Sequence, residues 1–226
     1  MTFPGLEGEV AYDPRPISKH GSARISRMGF DIATRRNGAP GDGVSRVTCV
    51  DKSNVTRGCQ LFRRTFDEVG EDFAGIERDY GYIDAFMQWI TRNPEHYDVV
   101  VSSNMFGDIS TDLGAVLQGG MGMAGSANIG DHHGMFEPVH GSAPKHDGKG
   151  IVNPIAAISS VQMMLEWLGR RTADDDLLEV AEYVGTAIAD HVREGKQLTY
   201  DLGGSASTTD VGMSIATRLG DALRER

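Results

Sequence analysis

Hydrophobic and polar residues follow two kinds of pattern along the chain. Short runs rich in β-branched residues, "VTCVDK" (47–52) and "YDVVVSS" (97–103), predict buried strands. Apolar residues at helical spacing predict helices over 22–36, 59–73, 82–92, 154–168, 174–195 and roughly 208–225. Strands that alternate with helices favour an α/β fold.

Local signals refine several of these helices. In segment 22–36, Ile25, Met28, Gly29, Ile32 and Ala33 recur on a helical period. The helix from residue 154 starts with proline in its first turn, and Gly169 is predicted to stand just past its end. Residues 1–20 are predicted to be loop or edge strand, and 119–153 a loop-rich segment that contains four histidines.

The stretch Gly120–Gly125 matches the dinucleotide-binding pattern G-x-G-x-x-G. That pattern carries meaning only between a strand and a helix. A helix-like segment precedes it here, so the sequence favours a packed turn.

Composition and charge narrow the class of protein. The chain has 226 residues and a formal net charge of −10. This charge disfavours nucleic acid and anionic membranes as partners. Two cysteines form neither a metal pattern nor a disulfide framework, so a cytoplasmic location is expected. We expect no secretory signal, and no apolar stretch is long enough to cross a bilayer.

Two carboxylates follow the second predicted strand. Asp108 and Asp112 are four residues apart in "NMFGDISTD", so both lie on one face if the segment is helical. Ligands of open α/β sheets bind beyond the carboxyl ends of strands, and Mg²⁺ and Mn²⁺ prefer carboxylate oxygen. The spacing therefore fits a metal site, although it fits two solvated surface acids as well.

Three further elements carry candidate chemistry. In "VDKSNV", Lys52 and Asn54 follow the first strand, and a lysine beside a metal-bound hydroxy acid can relay a proton. Asp84 lies at the start of an apolar helix in "GYIDAF". The glycine-rich stretch "EPVHGSAPKHDGKGIVNP" suits a phosphate or a nucleotide. Taken alone, Lys52 fits a surface lysine better, Asp84 also fits an acid in the first turn of a helix, and the glycine-rich stretch also fits an ordinary surface loop.

Together these segments resemble a known family. "DKSNV", "YIDAFMQW", "YDVVVSSNMFGDISTDLGAVLQGGMGM", "SANIGD" and "FEPVHGSAPKHDGKGIVNPIAA" occur in the family's order and at its spacing. The chain resembles the isocitrate and 3-isopropylmalate dehydrogenases, which are metal-dependent β-decarboxylating dehydrogenases. The resemblance runs from about residue 17 onward and implies an isopropylmalate dehydrogenase-like α/β fold with two discontinuous subdomains. Residues 1–118 would form the smaller, dimer-forming part with the metal ligands, and 119–226 part of the nucleotide-binding domain.

The resemblance also implies an activity. Family members oxidise a (2R)-hydroxy acid that bears a β-carboxylate, with NAD or NADP as hydride acceptor, and release CO₂. Asp108 and Asp112 would approach Mg²⁺ or Mn²⁺ from one subunit, and Asp84 from the neighbouring subunit. Lys52, also from the neighbour, would assist proton removal, and Asn54 would contact substrate or nicotinamide. A homodimer with shared sites follows from this arrangement.

The same resemblance places the nucleotide. The positions that match cofactor contacts are Glu137, His140, Gly141, Ser142, Ala143, Lys145, His146, Asn153 and Tyr200. Relatives that use NAD usually carry aspartate after "HGSAP", whereas this chain has Lys145 and then His146. Lysine there, with Tyr200, resembles the NADP-using isocitrate dehydrogenases, in which a cation meets the 2′-phosphate. The arginine expected shortly afterwards is replaced by Gly204.

The chain also departs from the family pattern. About a third of the usual length, which supplies arginines that grip the substrate, has no counterpart. Phe3 or Ile17 stands where the catalytic tyrosine is expected, and Tyr12 is the nearby alternative. The rival hypothesis is therefore a non-catalytic or split-enzyme subunit that binds nucleotide or metal and pairs with another chain. Isocitrate and 3-isopropylmalate are the favoured substrates, with homoisocitrate, D-malate and tartrate still open.

Overall fold

The structure is a computed structural model, and it describes residues 9–11 and 13–224. The chain divides into two compact units, Met1–Leu113 and Gly114–Arg226. Strands and helices alternate in the first unit, and its sheet is parallel, which confirms the predicted α/β class. The roles assigned to 1–118 and 119–226 stay predictions.

The first unit is built on a three-stranded parallel sheet. Its strands β1, β2 and β3 stand in the order β2-β1-β3 and comprise Arg46–Asp51, Glu77–Tyr82 and Val99–Ser102. The helices α1, α2 and α3 comprise Lys19–Ala33, Arg57–Gly70 and Ile83–Arg92, and α4 (Asn104–Leu117) begins two residues after β3. All six residues of the central strand β1 are buried, which confirms the predicted short buried strand, although Arg46, Thr48 and Asp51 are polar.

Aromatic stacking fills the core of this unit. The Phe30 ring of α1 stacks on Phe66 at 5.0 Å and on Phe73 at 5.1 Å. A side chain at Gly29 would overlap Val101, so glycine there lets α1 pack closely on β3. Ile25, one of the apolar positions on which the helix prediction rests, is 44% exposed. The helix was therefore predicted correctly, but small residues form much of its buried face.

Strand β2 escaped prediction. Its sequence "ERDYGY" lacks an apolar run, and the strand lies at the edge of the described sheet with four of its six residues exposed. Tyr80 and Tyr82 are both partly exposed, with Tyr82 at the carboxyl end. An edge strand that faces solvent needs few apolar residues, so the pattern gave no signal.

The second unit joins a two-stranded antiparallel hairpin to three helices. Strands β4 (Gly125–Ile129) and β5 (Gly134–Pro138) pair with each other. Helices α5, α6 and α7 comprise Ile155–Thr172, Asp175–Glu194 and Thr208–Arg224. Their core contains Met123, Ile155, Val184, Ala187, Ile188, Val211 and Ile215. Helix α6 confirms the helix predicted over 174–195. Asp174 caps its start by accepting a bond from the Leu177 amide, and Gly195 ends it in the left-handed conformation.

One expectation for this unit was wrong, and one element was missed. Helix α5 continues through Gly169 to Thr172, and Ala173 forms its left-handed end. A Cβ at Gly169 would lie 2.8 Å from Leu178 Cδ2, so this glycine permits close packing with α6 and does not end the helix. The hairpin β4–β5 lies inside the segment 119–153, which was predicted to be loop-rich. The two strands were not predicted because both are short and β4 is rich in glycine, serine and asparagine.

None of the helices in the described part of the chain is both long enough and apolar enough to cross a membrane.

Candidate functional site

The carboxyl end of the first unit's sheet collects the predicted catalytic residues. Lys52 directly follows β1, Asp84 lies in the first turn of α3 after β2, and Asp108 lies on α4 after β3. The register pairs Asp51 with Tyr82 on one side of β1 and Val50 with Ser102 on the other. Because the three parallel strands end nearly level, the residues that follow them emerge at one edge.

Lys52 and Asp84 form an ion pair at this edge. Lys52 Nζ donates a hydrogen bond to Asp84 Oδ1 at 2.5 Å. This bond, aided by backbone N–H groups at the start of α3, lowers the pKa of Asp84 below its ordinary value of 3.8. Lys52 Nζ also lies 5.9 Å from the centre of the Tyr82 ring. The pairing keeps Asp84 ionised and holds the lysine ammonium group at the end of the sheet.

Asp108 and Asp112 both lie on α4 and are exposed. Their spacing places them on one helix face, as predicted. Asn104 Nδ2 donates to Asp108 Oδ1 at 3.3 Å, which orients one of the two carboxylates. Arg15 contacts the start of α4 from outside the helix. Its side chain donates a hydrogen bond to Oγ of Ser103, the residue before α4, and lies over the Phe106 ring at 4.8 Å.

The carboxylates suit a hard divalent cation by type, but their placement decides what one chain can hold. Within 9–11 and 13–224, no group of three or more His, Cys, Asp or Glu residues is arranged to bind a metal ion. Asp84, Asp108 and Asp112 share the same end of the sheet without forming such a group. The division of these ligands between two subunits stays a prediction.

A cavity of about 790 Å³ lies in the second unit. Seven of the predicted nucleotide-binding residues line it, namely His140, Gly141, Ser142, Ala143, His146, Asn153 and Tyr200. Lys145 and Glu137 are exposed and lie outside the lining. Asn54 belongs to the first unit, where it is exposed. The roles of all ten predicted residues in cofactor binding stay predictions, whether they line the cavity or not.

Backbone geometry shapes the cavity. Gly120 has φ +110°, a conformation that side chains other than glycine rarely adopt. A Cβ at Gly122 would lie 2.7 Å from Asp201 Oδ2 and 2.9 Å from Asn153 Cβ. Ala143 has φ +46° immediately before a proline, a strained position of the kind found at ligand-binding loops.

Hydrogen bonds tie three loops together around the cavity. Asn153 Nδ2 donates to Asp201 Oδ2 at 3.1 Å, and Asn153 Oδ1 accepts from the Ile155 amide at 3.0 Å. Thr199 Oγ1 donates to Asp201 Oδ1 at 2.5 Å. Thr208 at the start of α7 donates to the carbonyl oxygens of Gly150 and Val152. Asn153 therefore holds the start of α5 against the loop that carries Tyr200.

The rings of His146 and Tyr200 lie 5.8 Å apart at an angle of 30°. They offer aromatic faces at the cavity wall, which suit the stacking of a base or a ribose. A side chain at Gly204 would overlap the Leu198 carbonyl oxygen. The arginine of the NADP-binding pattern therefore cannot occupy position 204 while this loop keeps its shape.

Sequence reasoning missed part of the cavity wall. The lining also contains Gly120, Met121, Gly122, Asp147, Gly148, Gly150, Val152, Asp201, Thr208 and Thr209. The dinucleotide pattern at Gly120 is not a Rossmann fingerprint, since α4 and not a strand comes before it. The glycine cluster was nevertheless a usable signal, because positive φ values and close approaches at glycine shape this wall.

Of the three residues predicted near the position of the catalytic tyrosine, one lies in the described part of the chain. Phe3 and Tyr12 lie outside the described residues. Ile17 packs against the core of the first unit, so its side chain has a structural role.

Comparisons with known proteins identify the family of the chain. The chain matches the isocitrate/isopropylmalate dehydrogenase family over residues 3–215. It is 39% identical to homoisocitrate dehydrogenase of Methanocaldococcus jannaschii, over 97% of this chain and 59% of that protein. It is 40% identical to 3-isopropylmalate dehydrogenase of Archaeoglobus fulgidus, over 94% of this chain and 61% of that protein.

A solved structure shows the same fold. The apo β-decarboxylating dehydrogenase of Thermococcus kodakarensis superposes with a TM-score of 0.81 at 39% identity, over 96% of this chain and 60% of that one. The chain thus spans about 60% of the length of these relatives. On its sequence, its fold and the residues at the end of its sheet, the chain belongs to the isocitrate/isopropylmalate dehydrogenase family.

Proposed function

We propose that this chain takes part in the metal- and NAD(P)-dependent oxidative decarboxylation of a (2R)-hydroxy acid that carries a β-carboxylate. The observation that carries the proposal is the Lys52–Asp84 ion pair, 2.5 Å long, at the end of the sheet from which α4 presents Asp108. A base and several carboxylates in one place suit the deprotonation of a hydroxyl group beside a cation.

The chain's own residues divide this work. The pairing with Asp84 fixes the position of the Lys52 amino group. To take the proton of the substrate hydroxyl, directly or through water, Lys52 would first release its own proton to solvent, as it would when Asp84 turns from the lysine to the cation. Asp84, Asp108 and Asp112 would hold the cation. When bound, Mg²⁺ or Mn²⁺ supplies Lewis-acid stabilisation of negative charge on substrate oxygen, and NAD(P) accepts the hydride.

The proposal includes a homodimer with shared sites. One described chain arranges no three-ligand group, so the set is completed only when a second copy contributes. Met105, three residues before Asp108 on α4, and Ile109, one turn after Met105, are 49% and 53% exposed. Exposed apolar residues beside the ligands give a second copy a surface on which to pack.

Shared sites can be tested with two inactive variants. Asp84→Asn and Asp108→Asn each remove one metal ligand, and each alone is expected to abolish turnover. In a mixed dimer, one site receives both substitutions and the other receives neither, so activity reappears on mixing under exchange conditions. Each variant mixed with itself is the control. Activity that stays absent in the mixture, with mixed dimers shown by native mass spectrometry, contradicts sharing.

The cavity of the second unit is proposed to hold the adenosine part of the coenzyme. Its volume, its aromatic pair and its glycine-rich wall fit a nucleotide. Lys145 and His146 favour NADP through attraction of the 2′-phosphate. The carboxylates of Asp147 and Asp201 in the lining favour the free ribose of NAD. Calorimetric titration with NADP⁺ and NAD⁺ distinguishes them, and Lys145→Asp should shift the preference toward NAD⁺ if Lys145 contacts the phosphate.

The overall activity is tested by turnover. Isocitrate and 3-isopropylmalate are the first substrates to assay, each with NADP⁺ or NAD⁺ and Mn²⁺, with reduced coenzyme followed at 340 nm. We expect turnover that disappears with a chelator and returns with Mn²⁺. A cytoplasmic enzyme of this kind would work on small soluble acids.

The second candidate is a non-catalytic or split-enzyme subunit. The observation that favours it is the partial coverage of the relatives, since the chain spans about 60% of their length. This candidate expects nucleotide or metal binding without reduced coenzyme from this chain alone, and turnover once a partner chain is added.

A further inference from the structure

Arg63 of α2 belongs to none of the segments that carry the family resemblance, yet it contacts both segments of the Lys52–Asp84 pair. Its Nε donates to Asp51 Oδ2 at 2.8 Å and its Nη2 donates to Asp51 Oδ1 at 3.0 Å. Asp51 is the last residue of β1, immediately before Lys52, and its side chain is 2% exposed. A planar guanidinium can make this two-point contact, which a lysine cannot reproduce.

The bond to Asp51 fixes the turn that carries Lys52. Asp51 Oδ1 also accepts from the Ser53 amide at 2.9 Å, so this carboxylate holds the backbone on the far side of Lys52. From the same helix as Arg63, Gln60 Nε2 donates to the Ser53 carbonyl oxygen at 2.9 Å. The backbone of Lys52 is thus held between Asp51 and Ser53.

The apolar faces of the same guanidinium meet the segment that carries Asp84. Arg63 Cζ lies 5.0 Å from the Tyr80 ring centre and 5.2 Å from the Tyr82 ring centre. Tyr82 is the residue directly before α3, whose first turn contains Asp84. The Tyr82 ring also lies near Lys52 Nζ. One side chain thus links the backbone of Lys52 to the start of the helix of Asp84.

We propose that Arg63, acting through Asp51 and Tyr82, is a positioning residue for the Lys52–Asp84 pair. The inference rests on the proposed function for its catalytic meaning, but the positioning itself is a property of this chain. The structure offers a matched comparison in Arg46, which is 4% exposed and bonds Glu77 and Asp42 at the opposite end of β1. A lysine at either position keeps the charge and loses the two-point contact.

The test measures how fast Lys52 reacts. Native chain is treated with a trace of acetic anhydride, and acetylation of Lys52 is compared with that of exposed Lys149 by peptide mass spectrometry. We expect Arg63→Lys to raise the relative rate at Lys52 by about two- to fivefold, the size expected when an exposed ion pair is loosened. Arg46→Lys should lower thermal stability about as much as Arg63→Lys does. It should leave the acetylation rate of Lys52 unchanged.

Each outcome decides the proposal. An unchanged Lys52 rate in Arg63→Lys, or an equal rise in Arg46→Lys, overturns it, because the effect would then be absent or merely general. If Arg63→Lys fails to fold, Tyr82→Leu removes the shared ring at a partly exposed position and keeps the Asp51–Arg63 pair. The relative acetylation rate of Lys52 is then expected to rise by the same factor. An unchanged rate overturns the proposal that Arg63 acts on the pair through Tyr82.

Turnover separates this inference from the proposed function. In an active preparation, Arg63→Lys should lower kcat roughly tenfold, since a small displacement of a catalytic group is costly. The KM for coenzyme should not change, because the cavity residues are untouched. If the unaltered protein turns over neither substrate, the proposed function fails, while the acetylation rates still decide whether Arg63 positions the pair.

Discussion

The sheet end of the first unit and the cavity of the second unit prepare for ligands in different ways. The sheet end presents charged side chains, and Lys52, Asp84 and Asp108 each follow a different strand. In the cavity, backbone shape dominates, with Gly120 at positive φ and Gly122 pressed against its neighbours. Chemistry on a small acid needs placed charges, whereas holding a nucleotide needs a contoured wall with few side chains in the way.

This difference predicts that damage to one region should spare the other. The sheet end should lose catalysis without losing nucleotide binding, and the cavity should lose binding without losing the Lys52–Asp84 pair. Each of the following substitutions is chosen to separate the two.

The largest expected effect comes from Lys52→Met. This change keeps much of the side chain's volume and removes its amino group, so kcat should fall by about a hundredfold or more. Calorimetric affinity for NADP⁺ or NAD⁺ should stay the same. A loss of coenzyme affinity as large as the loss of kcat would show that the two regions do not work separately.

An intermediate effect is expected for Gly122→Ala. The new methyl group would lie 2.7 Å from Asp201 Oδ2 and 2.9 Å from Asn153 Cβ, so the wall must shift. Coenzyme affinity should fall about tenfold, with a stability loss of roughly 1–3 kcal/mol. Lys52 acetylation should not change. Gly212→Ala on α7, where an added Cβ meets nothing within 4 Å, is the control and should leave affinity intact.

A smaller effect concerns the second unit's core. His191 is 2% exposed, and its ring shares a 2.9 Å hydrogen bond with Ser214. Burial, with the nearby charge of Arg218, lowers the pKa of His191 below 6.5. The unfolded chain binds the proton more readily, so the free energy of unfolding falls as pH drops through 6.5.

The pH dependence of His191 can be measured by thermal unfolding. Between pH 8 and pH 5.5 the native chain should lose about 2–4 °C more than His191→Gln, which corresponds to roughly 1 kcal/mol. Equal losses in the two proteins would mean that His191 does not carry the dependence. Acetylation of Lys52 in the first unit should be the same in both proteins at either pH.

What the sequence predicted follows the same division. Lys52, Asp84 and the pair Asp108–Asp112 were predictable because charged residues after strands have a recognisable chemistry and spacing. The contact of Lys52 with Asp84 was not, since it depends on β2, whose polar edge sequence gave no strand signal.

Cavity residues were harder to predict. His140 and Tyr200 were identified through resemblance, and the structure places both in the lining. Asp147 and Asp201 were missed because a loop carboxylate has no period that marks it. Gly122 was judged to be part of a packed turn, which is correct, but its contact with Asn153 joins residues 31 positions apart in the chain. Such contacts are fixed by packing between loops and leave no local pattern.

Strand β1 has a consequence for how the first unit forms during synthesis. Its two partners arrive late, since Arg46 pairs with Glu77 and Val47 with Val99. Until the chain has grown through residue 102, one side of this fully buried strand has no hydrogen-bonding partner. The unit should therefore not complete its folding on the ribosome before β3 is synthesised. A pause in translation between β2 and β3 would leave a partly formed sheet with an unpaired, aggregation-prone edge, which chaperones would have to protect.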